Sequence, residues 1–226
     1  MREGYEINEL TRDESWRMFR IIGELVEGFD RLSDVEPAVT IYGSARTGVD
    51  DETYRQAEEI GYRLGKLGFS VITGGGPGIM EAANKGAKSA GAKSIGLNIE
   101  LPEEQEANRY STRVISFNHF FARKVMLVKY AVAFVIMPGG LGTLDELTEV
   151  LTLMQTHKIK PFPVILFDSG YWRGFMDWLR GCVLPKGNIS SHDMDLLMLS
   201  DSPGEVVDLI EGWYQKRTVA GRKALL

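Results

Sequence analysis

The chain reads as an α/β protein, a Rossmann-like parallel sheet with helices on both faces, preceded by an N-terminal helical extension. Two observations carry that reading. Short apolar runs alternate with stretches of helical period along most of the 226 residues, the pattern of strands joined by crossover helices. Three of the apolar runs also end in glycine-rich or small polar turns, at Gly43–Arg46, Gly74–Gly78 and Gly139–Thr143. In a parallel sheet such turns share one edge, beyond the carboxyl ends of the strands, where ligands bind.

Each element follows in order. Trp16, Phe19, Ile22, Val26 and Phe29 fall three to four apart and predict one helix with an apolar stripe. Pro37 separates it from a strand at Ala38–Tyr42. A helix over Glu52–Leu67 is closed by Gly68. A strand at Phe69–Thr73 runs into the second glycine turn, and a helix continues towards Ala90. Lys93–Asn98 reads as a strand, Ile99–Tyr110 as an irregular acidic stretch with Pro102, and Val114–Phe117 as a short strand. A helix over Asn118–Tyr130 precedes the apolar run Val132–Met137, which opens into the third glycine loop and a helix to Gln155. A strand at Pro163–Phe167, a helix over Trp172–Cys182, a strand at Leu196–Leu199 and a helix from Pro203 to Lys216 complete the pattern. The expectation is one nucleotide-binding domain over 1–226, with 1–36 as the helical extension.

Composition narrows the function. The chain is 44% hydrophobic and 25% charged, with a net charge of −5, so nothing marks it globally for nucleic acid. Cys182 is the single cysteine, which excludes an internal disulfide, and its apolar neighbourhood predicts a small packed side chain. No apolar run reaches the ~20 residues that span a bilayer, and Met1–Tyr5 lacks a signal-peptide core. A cytoplasmic protein without membrane or nucleic-acid partners is expected.

The chemistry concentrates at Met137-Pro-Gly-Gly-Leu-Gly-Thr-Leu-Asp-Glu146. A strand, then glycines, then a helix start presents backbone N–H groups and a positive dipole end to an anion. Gly139, Gly140, Gly142 and Thr143 are the phosphate-binding candidates, with Glu146 as a carboxylate beside them. Thr143-x-x-Glu146 also fits a capping box. Gly43, Ser44 and Arg46 in the first turn and Gly74, Gly75 and Gly76 in the second are candidates for nucleotide contacts. The G-x-G-x-x-G dinucleotide fingerprint and the G-x-x-x-x-G-K-[ST] loop are both missing, so a mononucleotide or sugar phosphate fits better. The helix before the main motif runs with its N-terminus at the ligand edge. Arg123, about 7–8 Å down that helix at 1.5 Å per residue, can reach the edge with its guanidinium. Lys124 and Lys129 read as facing solvent, with Lys124 and Met126 still close enough to count among the nucleotide-binding candidates. His119 reads as a packing or capping residue, and His157 and His192 lack partners at metal-ligand spacing. No metal or other cofactor is expected.

The combination Gly74-Gly-Gly-Pro-Gly-Ile-Met-Glu-Ala-Ala, Phe120-Phe-Ala-Arg-Lys and Pro138-Gly-Gly-Leu-Gly-Thr-Leu-Asp-Glu resembles the LOG (Lonely Guy) family, long labelled "possible lysine decarboxylase". The resemblance covers Ala38 to Phe167. It implies a phosphoribohydrolase that cleaves the N-glycosidic bond of AMP or a cytokinin riboside 5′-monophosphate, yielding the base and ribose 5-phosphate. It places the catalytic pair on Arg123 and Glu146, the phosphate loop on Gly139, Gly140, Gly142 and Thr143, and implies a homodimer. Val132 stands where family members often carry Asp, and the N-terminal helix and the Pro102–Asn108 segment make this a longer relative. The Arg123–Glu146 charge pair should keep the carboxylate ionised. Apolar residues near Leu151, Met154 and Ile159 suggest where copies associate. Two alternatives stand beside this reading: a non-catalytic nucleotide-sensing module and, distantly, a pyridoxal phosphate-dependent lysine decarboxylase.

Overall fold

A computed structural model describes residues 14–100 and 107–223. The elements are α1 (Glu14–Arg31), β1 (Ala38–Tyr42), α2 (Glu52–Lys66), β2 (Ser70–Thr73), α3 (Ile79–Ser89), β3 (Ser94–Ile99), β4 (Arg113–Phe117), α4 (Phe120–Lys129), β5 (Ala131–Ile136), α5 (Leu141–Gln155), β6 (Val164–Phe167), α6 (Ser169–Trp178), α7 (Ser191–Met194), β7 (Leu197–Ser200) and α8 (Pro203–Lys223). Residues 101–106 of the predicted acidic stretch after β3 lie outside the described residues.

All seven strands run parallel, in the order β4-β3-β2-β1-β5-β6-β7. The chain steps outward from β1 to β4, returns to the other side of β1 with β5, and steps outward again to β7. The order therefore reverses between β1 and β5, and a crevice opens there beyond the strand ends. The central strands β1, β2 and β6 are buried at every position, which is why they read as continuous apolar runs rather than alternating ones.

Two apolar layers flank the sheet. On one face, Leu97, Phe117, Leu127, Phe134, Leu147 and Trp172 join the sheet to α4, α5 and α6. On the other, Tyr54, Ile60, Leu64, Ala83, Val135 and Ile210 join it to α2, α3 and α8. The helices that start at the ligand edge are held by these layers along their length, so their N-termini are fixed relative to one another.

Several sequence expectations are corrected. The apolar stripe of α1 is its outer face: Trp16 is 70% exposed, Phe19 66% and Val26 60%. The helix packs inward through Leu25 and Gly28, with Leu32 just beyond. A periodic stripe identifies an apolar face without saying what covers it. Met154 is core, and Leu151 and Ile159 pack against that core; α1 and α4 instead carry several of the exposed large apolar side chains. Cys182 is exposed rather than packed, because the helix after α6 loosens into a π-helical segment over Leu179–Val183. The short helix α7, missed in the sequence, is made by a capping box between Ser190 and Asp193.

Candidate functional site

The three predicted turns do meet at one edge. Met137 N–H donates to the Tyr42 carbonyl at 2.9 Å, and Ser44 N–H donates to the Pro138 carbonyl at 3.0 Å, so the first and third turns are laced together. The Ser44 carbonyl accepts from Ile79 N–H at 3.0 Å, tying the first turn to the start of α3. Gly43 packs against Ile79. Arg46 stays exposed, its N–H on Ser44 Oγ at 3.0 Å.

The second turn is closed. Gly74, Gly75 and Gly76 are all buried. Gly75 N–H donates to Thr73 Oγ1 at 3.0 Å, and the Gly75 and Gly76 carbonyls accept from Asn108 N–H at 2.9 Å and Asn108 Nδ2 at 3.1 Å. Asn84, fully buried in α3, binds Thr73, Ser94 and Asn108 at once. Gly74 and Gly75 have no side chains for a reason visible in their neighbours. A Cβ at Gly74 would overlap the Arg123 guanidinium, and one at Gly75 would overlap Asn98 Oδ1. Gly75 also takes φ +74°, a conformation that favours glycine.

The third turn is open. Helix α5 starts at Leu141 with Gly140 at the N-cap and no side-chain cap. Thr143 and Glu146 therefore lie inside the helix, and the capping box that their spacing allows is not formed. Leu144 N–H makes the first intrahelical bond, to Gly140 O at 3.0 Å, which leaves the N–H groups of Leu141, Gly142 and Thr143 without helical acceptors. Gly140, Leu141 and Gly142 are exposed, whereas Thr143 is buried with its hydroxyl against Gly139. Tyr171 Oη, from α6, donates to the Gly139 carbonyl at 2.6 Å and anchors the turn from the far side.

Arg123 and Glu146 come together over this edge. Arg123, in the first turn of α4, is 8% exposed. Its Nε donates to the Leu97 carbonyl at 2.6 Å and its Nη2 to the Gly74 carbonyl at 3.4 Å. Its Nη1 lies 4.0 Å from Glu146 Oε1. At that separation the attraction does not offset the loss of hydration. Burial lifts the Glu146 carboxyl to about 7, with Arg123 opposing and Asp145 adding to the rise. Arg123 and Lys124 pull towards the ionised form, as the pairing suggests, and burial outweighs them. Burial also lowers the Arg123 pKa, against the pull of Glu146.

Two candidates do not join the site in the way the sequence suggested. Met126 is fully buried, its thioether against Gly28 of α1, so it packs helix to helix. Lys124 is neither solvent-facing nor free for a ligand: Nζ is 2.6 Å from Asp145 Oδ2 and 3.5 Å from Glu149 Oε2, bolting α4 to α5. His119 is the N-cap residue of α4, and its ring lies 3.1 Å from Glu24 Oε1. Glu24 also accepts from the backbone N–H groups of Asn118 and His119 at 3.1 and 3.3 Å. The carboxylate of α1 thus ties down the two residues that lead into the helix carrying Arg123. Asn98, Asn84, Asn108 and Tyr171 were not singled out in the sequence. Isolated asparagines and a tyrosine in a helix carry no spacing signal, and their partners lie from about ten to more than thirty positions away.

Against known proteins, the model of a family described as "Possible lysine decarboxylase" matches residues 80–210. A cytokinin riboside 5′-monophosphate phosphoribohydrolase of Mycobacterium tuberculosis is 29% identical over 156 residues, covering 67% of this chain and 81% of that protein. The rice protein named cytokinin riboside 5′-monophosphate phosphoribohydrolase LOG is 28% identical over 187 residues, 80% of this chain and 75% of its own. Among solved structures, the molybdenum cofactor binding protein of Rippkaea orientalis superposes with a TM-score of 0.58 at 23% identity, over 78% of this chain and 95% of that one. That likeness speaks to the fold alone. With more than half of its length under one family model and its glycine loops, arginine and glutamate in the family's order, the chain belongs to the "possible lysine decarboxylase" or LOG family.

Proposed function

We propose that this chain hydrolyses the N-glycosidic bond of a purine nucleoside 5′-monophosphate, AMP or an N6-modified AMP such as a cytokinin riboside 5′-monophosphate, to free base and ribose 5-phosphate. The observation that carries this reading is a buried carboxylate and guanidinium, Glu146 and Arg123, set beside an unpartnered helix N-terminus. The names of the relatives support the same reaction. On this reading residues 1–226 act as one nucleotide-binding unit.

The phosphate takes the N–H groups of Leu141, Gly142 and Thr143, which fixes the ribose in register with the pair. As the C1′–N9 bond breaks, positive charge develops on the ribosyl centre. A carboxylate that burial has made costly is stabilised by that charge more than by the neutral sugar, which is the differential binding that accelerates a step. Water adds to C1′, Glu146 takes its proton, and the departing base takes one from solvent. Arg123, held by Leu97 and Gly74, orients Glu146 and the sugar.

Lysine decarboxylation fits poorly. A Schiff-base lysine must lose its proton, but Asp145 and Glu149 outweigh burial and hold the Lys124 pKa above its ordinary value. Lys129 stands over the rings of Phe29 and Tyr130. We also place a homodimer contact on the apolar face formed by Trp16, Phe19, Val26, Phe120, Phe121 and Val125, each at least 44% exposed. No described helix is long and apolar enough to cross a membrane, and a cytoplasmic role in cytokinin biosynthesis or nucleotide turnover fits this assignment.

The test incubates the protein with AMP, isopentenyladenosine 5′-monophosphate and adenosine, with Glu146→Gln as control, and scores free base by chromatography. Base released from a monophosphate but not from adenosine, and lost in the variant, is the expected result. Binding of AMP without release from any substrate would overturn it in favour of a nucleotide-sensing module.

A further inference from the structure

Two consecutive residues of α4 meet two consecutive residues of α5. The inner pair is Arg123 and Glu146, loose at 4.0 Å. The outer pair is Lys124 and Asp145, tight at 2.6 Å. Lys124 Nζ also lies 3.5 Å from Glu149 Oε2, about one helical turn further along α5. The Lys124 side chain is only 18% exposed, whereas that of Asp145 is 59% exposed. An ion pair with one partner so exposed adds little to stability. Its charges still act on what lies beside them. Here that is a buried carboxylate, where the low dielectric enlarges the effect of each charge.

The groups around Glu146 differ in sign. Burial raises its pKa most; of the charges, Arg123 and Lys124 on α4 favour the ionised form, Asp145 and Glu149 on α5 the protonated one. From β1, Tyr42 stands near the same charges, but burial, with Glu146 and Glu149 adding to it, keeps its phenol protonated, so it brings no charge of its own. In the outer cluster one cation, Lys124, faces two anions, Asp145 and Glu149. Loss of the lysine leaves both anions unopposed beside Glu146. Loss of the Asp145 charge leaves Lys124 balanced by Glu149 alone. A bolt between two helices fails in the same way whichever half is lost. A pair that acts by charge fails in opposite ways.

We propose that Lys124 and Asp145 are positioning residues whose opposite charges bias the buried Glu146 carboxylate in opposite directions, an inference that rests on the phosphoribohydrolase reading above. The test follows kcat/KM against pH for the better substrate of AMP and isopentenyladenosine 5′-monophosphate. Wild type is compared with Lys124→Met, Lys124→Arg and Asp145→Asn. The midpoint of the rise, near pH 7 in wild type, should move up by about half a pH unit or more in Lys124→Met and down in Asp145→Asn. Lys124→Arg keeps the cation and its reach to both carboxylates, and should return the midpoint to its wild-type place. Midpoints that move in the same direction, or that do not move, would overturn the proposal, whatever happens to the alkaline plateau. Carbon-13 NMR of the Glu146 carboxyl, assigned by its loss in Glu146→Gln, reads the same ionisation without turnover. If wild type releases base from neither nucleotide, the reaction assignment fails. The carboxyl titrations then decide the pair separately: Lys124→Met and Asp145→Asn must still shift Glu146 in opposite directions.

Discussion

Two helix starts at the same sheet edge look alike in sequence and differ in structure. The turn before α3 and the turn before α5 both follow a buried strand and both are rich in glycine. The first is filled by its own protein, by Asn108 on two of its carbonyls, by the guanidinium of Arg123 and by the amide of Asn98. The second presents Gly140, Leu141 and Gly142 to solvent, with Leu141 86% exposed. Glycine marks a close approach of backbone to something. Whether that something is a ligand or another part of the chain depends on residues distant in sequence. The closed turn builds a frame, and the open turn leaves the uncapped start of α5 as the proposed anion site.

This contrast can be broken most sharply at Glu146, the carboxylate of the open side. Glu146→Gln is expected to lower kcat by at least about a hundredfold, the scale of a lost acid–base group, while AMP still raises the melting temperature. The closed turn should answer in stability instead. Gly75→Val sets a branched side chain at φ +74° and against Asn98, and a loss of about 3 kcal/mol or more in urea unfolding is expected. If it is tolerated, the frame is looser than the contacts imply.

A third measurement uses pH. The folded protein holds the Glu146 proton more tightly than the unfolded chain, with the pKa raised from 4.5 to about 7. Between those values the folded state binds more protons, so this group's contribution makes stability fall as pH rises. The full penalty, on the order of 3 kcal/mol, is reached above about pH 8 and vanishes below about pH 4. Glu146→Gln should therefore be more stable than wild type at pH 8 and not at pH 4.5, and the wild-type kcat/KM should rise through about pH 7 as the carboxylate ionises. Coincident stability profiles would remove the burial argument. Tyr171→Phe leaves the Gly139 carbonyl without its 2.6 Å donor, with an expected cost of about 1 kcal/mol and a weaker response to the substrate phosphate. The smallest effect belongs to Gly140→Ala: an added methyl meets nothing within 4 Å, so stability should hold within about 0.5 kcal/mol. Any loss should appear in AMP affinity.

The fold was legible because its signals are local. Strand ends at Tyr42, Thr73 and Phe167 and the start of α2 at Glu52 fall where the apolar runs and turn residues put them. The ligand edge followed from topology, and Arg123 and Glu146 do meet there. What was hidden depended on partners. The outward apolar face of α1 and the burial of Lys124 between two acids are properties of neighbours, not of period. Met126 is near Arg123 in sequence, yet its side chain faces Gly28. At Glu146 the opposite charge is visible in sequence while the dehydration that opposes it depends on the packed fold.

The carboxylate of Glu24 gives the N-terminal helix a mechanical part to play. Because it holds the backbone N–H groups of Asn118 and His119, just ahead of the helix bearing Arg123, α1 braces the start of that helix. A shortened form beginning at β1 would retain every strand of the sheet and every glycine of the three turns, yet lose the carboxylate that ties down the residues leading into α4. Trimming α1 would therefore loosen the end of α4 that carries Arg123.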